Sequence, residues 1–453
     1  MDGARTLSGV APPARVAVVG AGYAGLAAAV RLQVAGLRPE VFESAAEPGG
    51  RARRVHTPEG VFDNGLHIGI GAYTRLLAIS AEVGAEAAWL RQPLDWRIGR
   101  AVHLRAAPLP APLHLLVGLA RARGLPVGAR LQAAWMVARL RADRWQVRPD
   151  TGLPDLLDRL RQGPAIRESL WHPLCVAALN TPPANASAQV FANVLRDSLG
   201  AGRGASDLLL PRVDLTAAFP DPAVRWLQAR GARVHLRTRV LRVVEHPSGA
   251  GWQPLTAPGG TPAGDDTSPF RAVVLAVAPR ALAHLTEAWP ALAAVHATAA
   301  ALAHEPITSL YLGYPGSPAL PAPMVGLEGG PGQWAFDRGA LGGQTGVIGV
   351  VISASATERA SGTAALADAV HRQLAALLPG LPPPRWQRVI TERMATFACT
   401  PGLDRVGLHT AAPGVFIAGD HVRSDWPATL EGAVRSGEAA AAAAVDWLRE
   451  RST

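Results

Sequence analysis

The feature that most constrains this chain is a glycine turn held between a strand and a helix, Val16-Ala-Val-Val-Gly20-Ala-Gly22-Tyr-Ala-Gly25. The apolar, β-branched run Arg15–Val19 suits a buried strand, and the Leu/Ala-rich stretch from Tyr23 to Ala35 suits a helix. A second strand comes next at Arg38–Glu43. This βαβ order opens a nucleotide-binding sheet. Gly20 makes the tight turn, Gly22 lets the backbone approach a pyrophosphate, and Gly25 permits close helix–sheet packing. The helix N-terminus supplies N–H donors and the positive end of a dipole. Glu43 ends the second strand where a carboxylate can accept hydrogen bonds from a ribose. The bland alternative is an Ala/Gly-rich helix start. The strand before, the helix after and the acid at this spacing argue against it.

The segments beyond Glu43 separate a flavin dinucleotide from a nicotinamide one. Pro48-Gly49-Gly50-Arg51-Ala52 is a second glycine turn where backbone can meet the cofactor again, with Arg51 able to face a phosphate. Phe62-Asp63-Asn64-Gly65-Leu66-His67 then brings polar groups and flexible backbone to the flavin side. Near the other end, Gly414-Val-Phe-Ile-Ala-Gly419-Asp420 puts a carboxylate after a strand, and Pro427-Ala-Thr-Leu430-Glu431-Gly-Ala433 opens a helix. A helix N-terminus aimed at a flavin's N1/O2 edge would stabilise the negative charge of the reduced ring.

A length of 453 residues points to two domains. Between the nucleotide-type ends, residues 90–204 read as Leu/Ala-rich helices broken by Pro and Gly. Strand patterns return at Arg233–Val244, at Arg271–Val277 after a turn region spanning Pro247–Pro269, and over Thr308–Ser355. A strand at Gly414–Ala418 and a helix over Leu430–Leu448 complete the pattern. The expected fold is α/β, an FAD-binding Rossmann-like domain of the glutathione-reductase type with an inserted α+β substrate domain. Residues 14–90, 225–285 and 395–450 form the discontinuous first domain, and 91–224 with 286–394 form the second.

Apolar residues make up 49 % of the chain and charged ones 17 %, which excludes wholesale disorder. Every basic residue except histidine is arginine, and the net charge is +9. That balance suits either anionic lipid or a generally basic surface, and no nucleic-acid motif accompanies it. Two cysteines, Cys175 and Cys399, are too few for a disulfide framework or a metal cluster, and no metal site is expected. Residues 1–14 lack the features of a signal peptide, and no run of apolar residues is long enough to span a bilayer. A cytoplasmic protein, resting on the inner face of the cytoplasmic membrane, is the expectation.

The opening turn, the GGRA segment and the late Gly419-Asp420 and Glu431-Gly-Ala motifs resemble flavoproteins of the amine oxidase/phytoene desaturase superfamily over nearly the whole chain. Narrower segments are similar to the squalene-associated group, the hydroxysqualene dehydroxylases of bacterial hopanoid pathways. These are Asp63-Asn-Gly-Leu-His67-Ile-Gly-Ile-Gly-Ala-Tyr73, Trp171 to Pro182, Gln189 to Ser198 and Pro427 to Ser436. The resemblance implies FAD, and with no clear attachment residue in the sequence the cofactor is expected to be non-covalent. It places the cofactor at Gly20, Ala21, Gly22, Gly25, Glu43, Gly50, Arg51, Gly65, Val240, Gly419, Asp420, Leu430, Glu431 and Ala433. Leu66 stands where that group's pattern has Gln. The implied reaction is reductive removal of an allylic hydroxyl from a C30 isoprenoid, and prenyl synthases are the implied partners.

Hydroxide is a poor leaving group, so such a reaction needs an acid. His67 and Tyr73 are the candidates, set against a structural histidine and a packing tyrosine. A lipid substrate also needs an apolar tunnel; Trp135, Trp145 and Trp171 are candidates to line it or to anchor at an interface, set against ordinary core packing. The stretch Ala106–Arg144 reads either as an interfacial helix pair or as ordinary core helices with solvated arginines. A carotenoid-type desaturase, an amine oxidase and a non-catalytic flavin scaffold are the rival functions.

Overall fold

The computed structural model describes residues 13–256, 261–264, 266–356 and 362–451. Its organising element is the strand Arg15–Val19, buried at every position between two parallel neighbours, Arg38–Phe42 and Ala272–Leu275. A strand covered on both faces has no solvent side, so it carries a continuous apolar run rather than an alternating one. Arg233–His235 and Val415–Ile417 complete a five-stranded parallel sheet. Tyr23–Val34 forms the crossover helix, and the helix Leu430–Glu450 packs against it. The two backbones come so close that a Cβ on Gly437 would lie 2.1 Å from the Ala24 carbonyl oxygen.

A second, seven-stranded sheet forms from the middle of the chain. His304–Gly313 runs antiparallel to Val347–Ser353 and Trp386–Phe397, with Trp334–Asp337, Met324–Gly326 and the hairpin Asp95–Ile98/Val102–Arg105 next in order. One face packs on the helix Thr363–Leu377 through Leu312, Val350, Val370 and Leu374. On the other, Tyr311, Trp334 and Phe336 join a core with helices of the 113–195 stretch.

The structure departs from the sequence expectations at four places. The helical block contains the hairpin at 95–105. The strand pattern over Arg233–Val244 divides into two strands, Arg233–His235 and Arg242–Glu245, with Arg237 between them in a left-handed conformation, φ +56°. The expected turn region Pro247–Pro269 holds the strand Trp252–Leu255, paired with Arg242–Glu245; residues 257–260 and 265 of it lie outside the described residues. Finally, Leu209, Leu215 and Phe219, expected in the substrate part, pack into the nucleotide-side core with Leu26 and Leu32.

Candidate cofactor site and apolar cavity

The first glycine turn is built against the sheet. Gly20 has φ +106°, and a Cβ there would lie 2.5 Å from the Ala276 carbonyl oxygen. A Cβ on Gly25 would lie 1.9 Å from the Gly20 oxygen, so helix and turn are in direct backbone contact. Gly22 is different. Its added Cβ would meet only Gly50 Cα, at 3.9 Å, and the helix that starts there has no side-chain cap. Open space before an uncapped helix N-terminus suits a phosphate-bearing ligand.

Both oxygens of Glu43 hold backbone. Oε2 accepts from the Ala21 N–H at 2.7 Å and Oε1 from the Ala45 N–H at 2.8 Å. The carboxylate thus braces the turn, with lone pairs left for a ribose hydroxyl. The second glycine turn docks on the first: the Gly49 N–H donates to Ala21 O at 2.8 Å, and Gly50 takes φ +63°. Val240 sits half-buried just beyond Thr238, whose N–H donates to the Glu43 carbonyl at 2.7 Å.

Arg51 and Asp420 engage each other. Arg51 donates from Nη2 to Asp420 Oδ1 and from Nη1 to the Ala395 carbonyl at 2.6 Å. Burial works against ionisation of Asp420, yet Arg51 and neighbouring His421 hold its carboxyl well below the usual carboxylate range. Gly419 makes the turn into this acid with φ +149°. His421 is 1 % exposed; its Nδ1 lies 3.6 Å from Asp420 Oδ1, too long for a hydrogen bond, and neither ring nitrogen has a hydrogen-bond partner among the described residues. His304 Nε2 is likewise buried and unpartnered, with electrostatic influence from Arg51, Asp420 and His421. Unmet polar atoms beside Arg51 and Asp420 fit a site that a polar ligand completes. Sequence reasoning missed both histidines, although His421 directly follows the Gly-Asp motif.

The late helix is capped by Thr429, which accepts from the Gly432 N–H at 3.1 Å. Leu430 and Ala433 stay half-buried in its first turn. Glu431 points elsewhere: its oxygens accept from the Arg75 and Leu76 N–H groups at 3.1 and 2.8 Å, capping the helix Thr74–Glu82.

In the flavin-side segment, Leu66 is a packing residue, buried against Gly349 of the large sheet, while its N–H donates to Ser309 Oγ at 3.1 Å. Gly65 provides the carbonyl that fixes His67: Nδ1 donates to it at 2.7 Å. Burial lowers the His67 pKa, so the ring is neutral at pH 7 with Nε2 as an acceptor. That is the opposite of what a general acid needs. Burial, aided by Glu431, raises the Tyr73 phenol, which remains an O–H donor beside Thr429. Another group that sequence reasoning passed over is Asp63. Burial pushes its carboxyl up to about 6 although Arg338 lies 3.9 Å away. Cys399 is buried with its thiol pushed up to about 12.

Tyr73 lines a cavity of about 360 Å³ together with Trp426, Pro427 and Thr429 from the late motif. Trp96, Trp145 and Trp171 line it too, with Leu115, Leu119, Val137 and Leu174. Trp135, expected either to line the tunnel or to anchor at an interface, is exposed and outside the cavity. The polar groups in the wall are few: Arg141, Asp197, Ser198 and Ser206 beside Tyr73 and Thr429. Two π-helical turns, Arg167–Trp171 and Arg196–Gly200, contribute to this wall, and such turns recur at functional sites.

Residues 23–445 match the family model for flavin containing amine oxidoreductases. The chain belongs to that family. Along nearly its whole length this amine oxidoreductase is similar to the hydroxysqualene dehydroxylase of Rhodopseudomonas palustris, 31 % identical over 452 residues, covering 94 % of this chain and 97 % of that one. A hydroxyneurosporene desaturase of Rhodobacter capsulatus is 54 % identical over 50 residues, 11 % of this chain and 10 % of that one. Among solved structures, cyclohexylamine oxidase from Brevibacterium oxydans matches with a TM-score of 0.64 at 19 % identity, covering 97 % of this chain and all of that one. At that identity the structural match establishes the shared fold. The family carries a flavin, and the two glycine turns with the uncapped helix N-terminus suit its dinucleotide form.

Proposed function

We propose that this flavoenzyme binds FAD non-covalently and reductively dehydroxylates an allylic C30 alcohol, hydroxysqualene, to squalene. The observation that carries this reading is the composition of the cavity: an apolar, tryptophan-lined space whose few polar groups include Tyr73 beside the late cofactor motif. The full-length similarity to hydroxysqualene dehydroxylases supports it. Gly20, Gly22 and the second glycine turn would hold the pyrophosphate, Glu43 the ribose, and the Arg51–Asp420–His421 group the far end.

A bound reduced flavin supplies the hydride equivalent. The balance is one proton to the hydroxyl oxygen and one hydride to carbon; the C–O bond breaks, a C–H bond forms and water leaves. Tyr73, protonated in the resting enzyme, gives its proton to the departing hydroxyl, which leaves as water, and takes one back from solvent. His67, a neutral ring held by the Gly65 carbonyl, is not the acid. Trp96, Trp145, Trp171 and Trp426 present aromatic rings to the cavity, and aromatic faces stabilise an allylic cation. The desaturase alternative needs no partner for a hydroxyl, whereas Tyr73, Ser198 and Ser206 offer several.

The test is anaerobic incubation of the dithionite-reduced holoprotein with hydroxysqualene, with mass analysis of the lipid extract. Squalene forming in step with flavin reoxidation is the expected result. A bound, reducible flavin with no squalene would overturn the proposal, and oxidised enzyme would then be tried on phytoene.

A further inference from the structure

The cavity reaches the surface through a helix pair, Leu113–Ala120 and Val127–Ala142. Leu116 lines the cavity and is also 48 % exposed, so it stands at the opening. Around it the same two helices expose Leu113, Val127, Leu131 and Trp135. Val127, Leu131 and Trp135 repeat every four residues and form one stripe along the second helix. Opposite this stripe, buried Ala129, Ala133, Met136 and Leu140 secure the helix to the core. Large apolar side chains facing water on paired helices around a cavity opening are a cost unless something apolar covers them.

Charge identifies the cover. From Arg100 to Arg148 there are nine arginines and one acidic residue, Asp143. A groove of about 720 Å³ beside Trp135 is lined by Arg139, Arg148, Arg159 and Arg161 with Asp143. Arg139 pairs with Asp143 at 3.3 Å; among the described residues no carboxylate pairs with the other three. Another copy of this chain would set the arginine field against itself. An anionic bilayer offers phosphates to the groove and hydrocarbon to the stripe, with a tryptophan at the boundary where that residue is favoured.

We propose that the Leu113–Ala142 helix pair docks on an anionic lipid bilayer. Lipid phosphates sit in the Arg139–Arg148–Arg159–Arg161 groove, and the cavity opens toward the acyl chains. No helix among the described residues is long and apolar enough to cross a membrane, so the contact is with one leaflet. Delivery of a lipid substrate through this opening rests on the dehydroxylase reading; docking itself does not.

The experiment is flotation of the flavin-loaded protein with vesicles of phosphatidylcholine alone, or with about one third phosphatidylglycerol, a charge density at which each arginine near the surface counts. The wild type should float with the mixed vesicles and much less with the neutral ones. Leu131→Glu/Trp135→Glu should lower partitioning by at least about tenfold, and Arg148→Glu/Arg161→Glu should abolish the preference for phosphatidylglycerol. Unchanged thermal melting would show that these exposed substitutions leave the fold intact. Wild type that stays with neither vesicle, or variants that float like it, would overturn the proposal. So would a tryptophan fluorescence response to inorganic diphosphate without vesicle binding, the sign of a soluble phosphate ligand. Flotation without conversion of hydroxysqualene defeats only the dehydroxylase reading; conversion of detergent-dispersed substrate without flotation defeats only this one.

Discussion

Arg51 and Asp420 lie 369 positions apart in sequence and meet at 2.5 Å, guanidinium to carboxylate. Their contact ties the second glycine turn to the strand end that carries the late Gly-Asp motif, closing the site from both ends of the chain. Arg51→Ala leaves Asp420 buried without its cation, which costs about 3 kcal/mol. The sign with pH comes from the depressed carboxyl: its stabilisation is present above the unfolded value, about 4, and is lost as pH falls through the lower folded value. Melting curves of wild type and variant should therefore differ most near pH 7 and begin to converge only below about pH 4.

Gly22 and Gly25 should separate binding from folding. A Cβ at Gly25 collides with backbone that cannot yield, at 1.9 Å, so Gly25→Ala should give little folded protein. At Gly22 the nearest atom is 3.9 Å away, and Gly22→Ala should keep the apoprotein's melting temperature while losing most of its flavin. The flavin-to-protein absorbance ratio after desalting measures this. Full flavin content in Gly22→Ala would remove the pyrophosphate from this turn.

The parallel sheet was legible because its signals are local: a β-branched run, glycines at fixed offsets and an acid at the end of the next strand, all within Val16–Glu43. Partner choice was not. Arg51 reads as a phosphate ligand because nothing local shows that Asp420 folds beside it, and Glu431 reads as a flavin-side group because the Thr74 helix it caps is remote in sequence. Arg237 sits between two strands of the Arg233–Val244 pattern in a left-handed backbone conformation, which side-chain pattern does not encode. His67 and Asp63 carry pKa shifts set by burial, a property of the assembled core rather than of their neighbours in the chain.

Asp63 gives the opposite pH signature to Asp420. Its folded carboxyl, near 6, lies above the unfolded value, so the protonated form is favoured on folding. The associated stability is fully present below about pH 4 and lost as pH rises through about 6, a difference on the order of 3 kcal/mol. Asp63→Asn still offers an oxygen to the Leu215 N–H, held at 2.7 Å, but cannot ionise. It should stabilise the protein by about 2 kcal/mol at pH 8, Arg338 losing some attraction, and change little near pH 4. A pH-independent effect in denaturant titrations would refute this assignment.

His67 titrates in the same sense as a depressed acid. Burial lowers its pKa, so its stability contribution is present above the unfolded value, about 6.5, and is lost as pH falls through the folded one. In His67→Gln the acid-side decline of the melting temperature should be shallower below about pH 6.5. An identical slope in both proteins would mean that the ring is already free to charge.

Ala177 tests whether the cavity is where the substrate lies. It lines the cavity, as Trp171 and Tyr73 do, and a bulkier ring in place of its methyl would extend into that space. Ala177→Phe puts that ring into the space without touching the glycine turns or the Arg51–Asp420 pair. Filling existing space limits the overpacking penalty to about 1 kcal/mol, within reach of a modest change in melting temperature. Flavin content and dithionite reduction should match wild type. Turnover of hydroxysqualene should drop at least about tenfold, since misplacing the reacting carbon by an ångström costs even more. A shorter allylic alcohol such as farnesol should lose less, so the ratio of the two rates reports on chain length directly. Equal losses for both alcohols would point to a general effect on the reacting centre, and no loss for either would place the substrate outside this cavity.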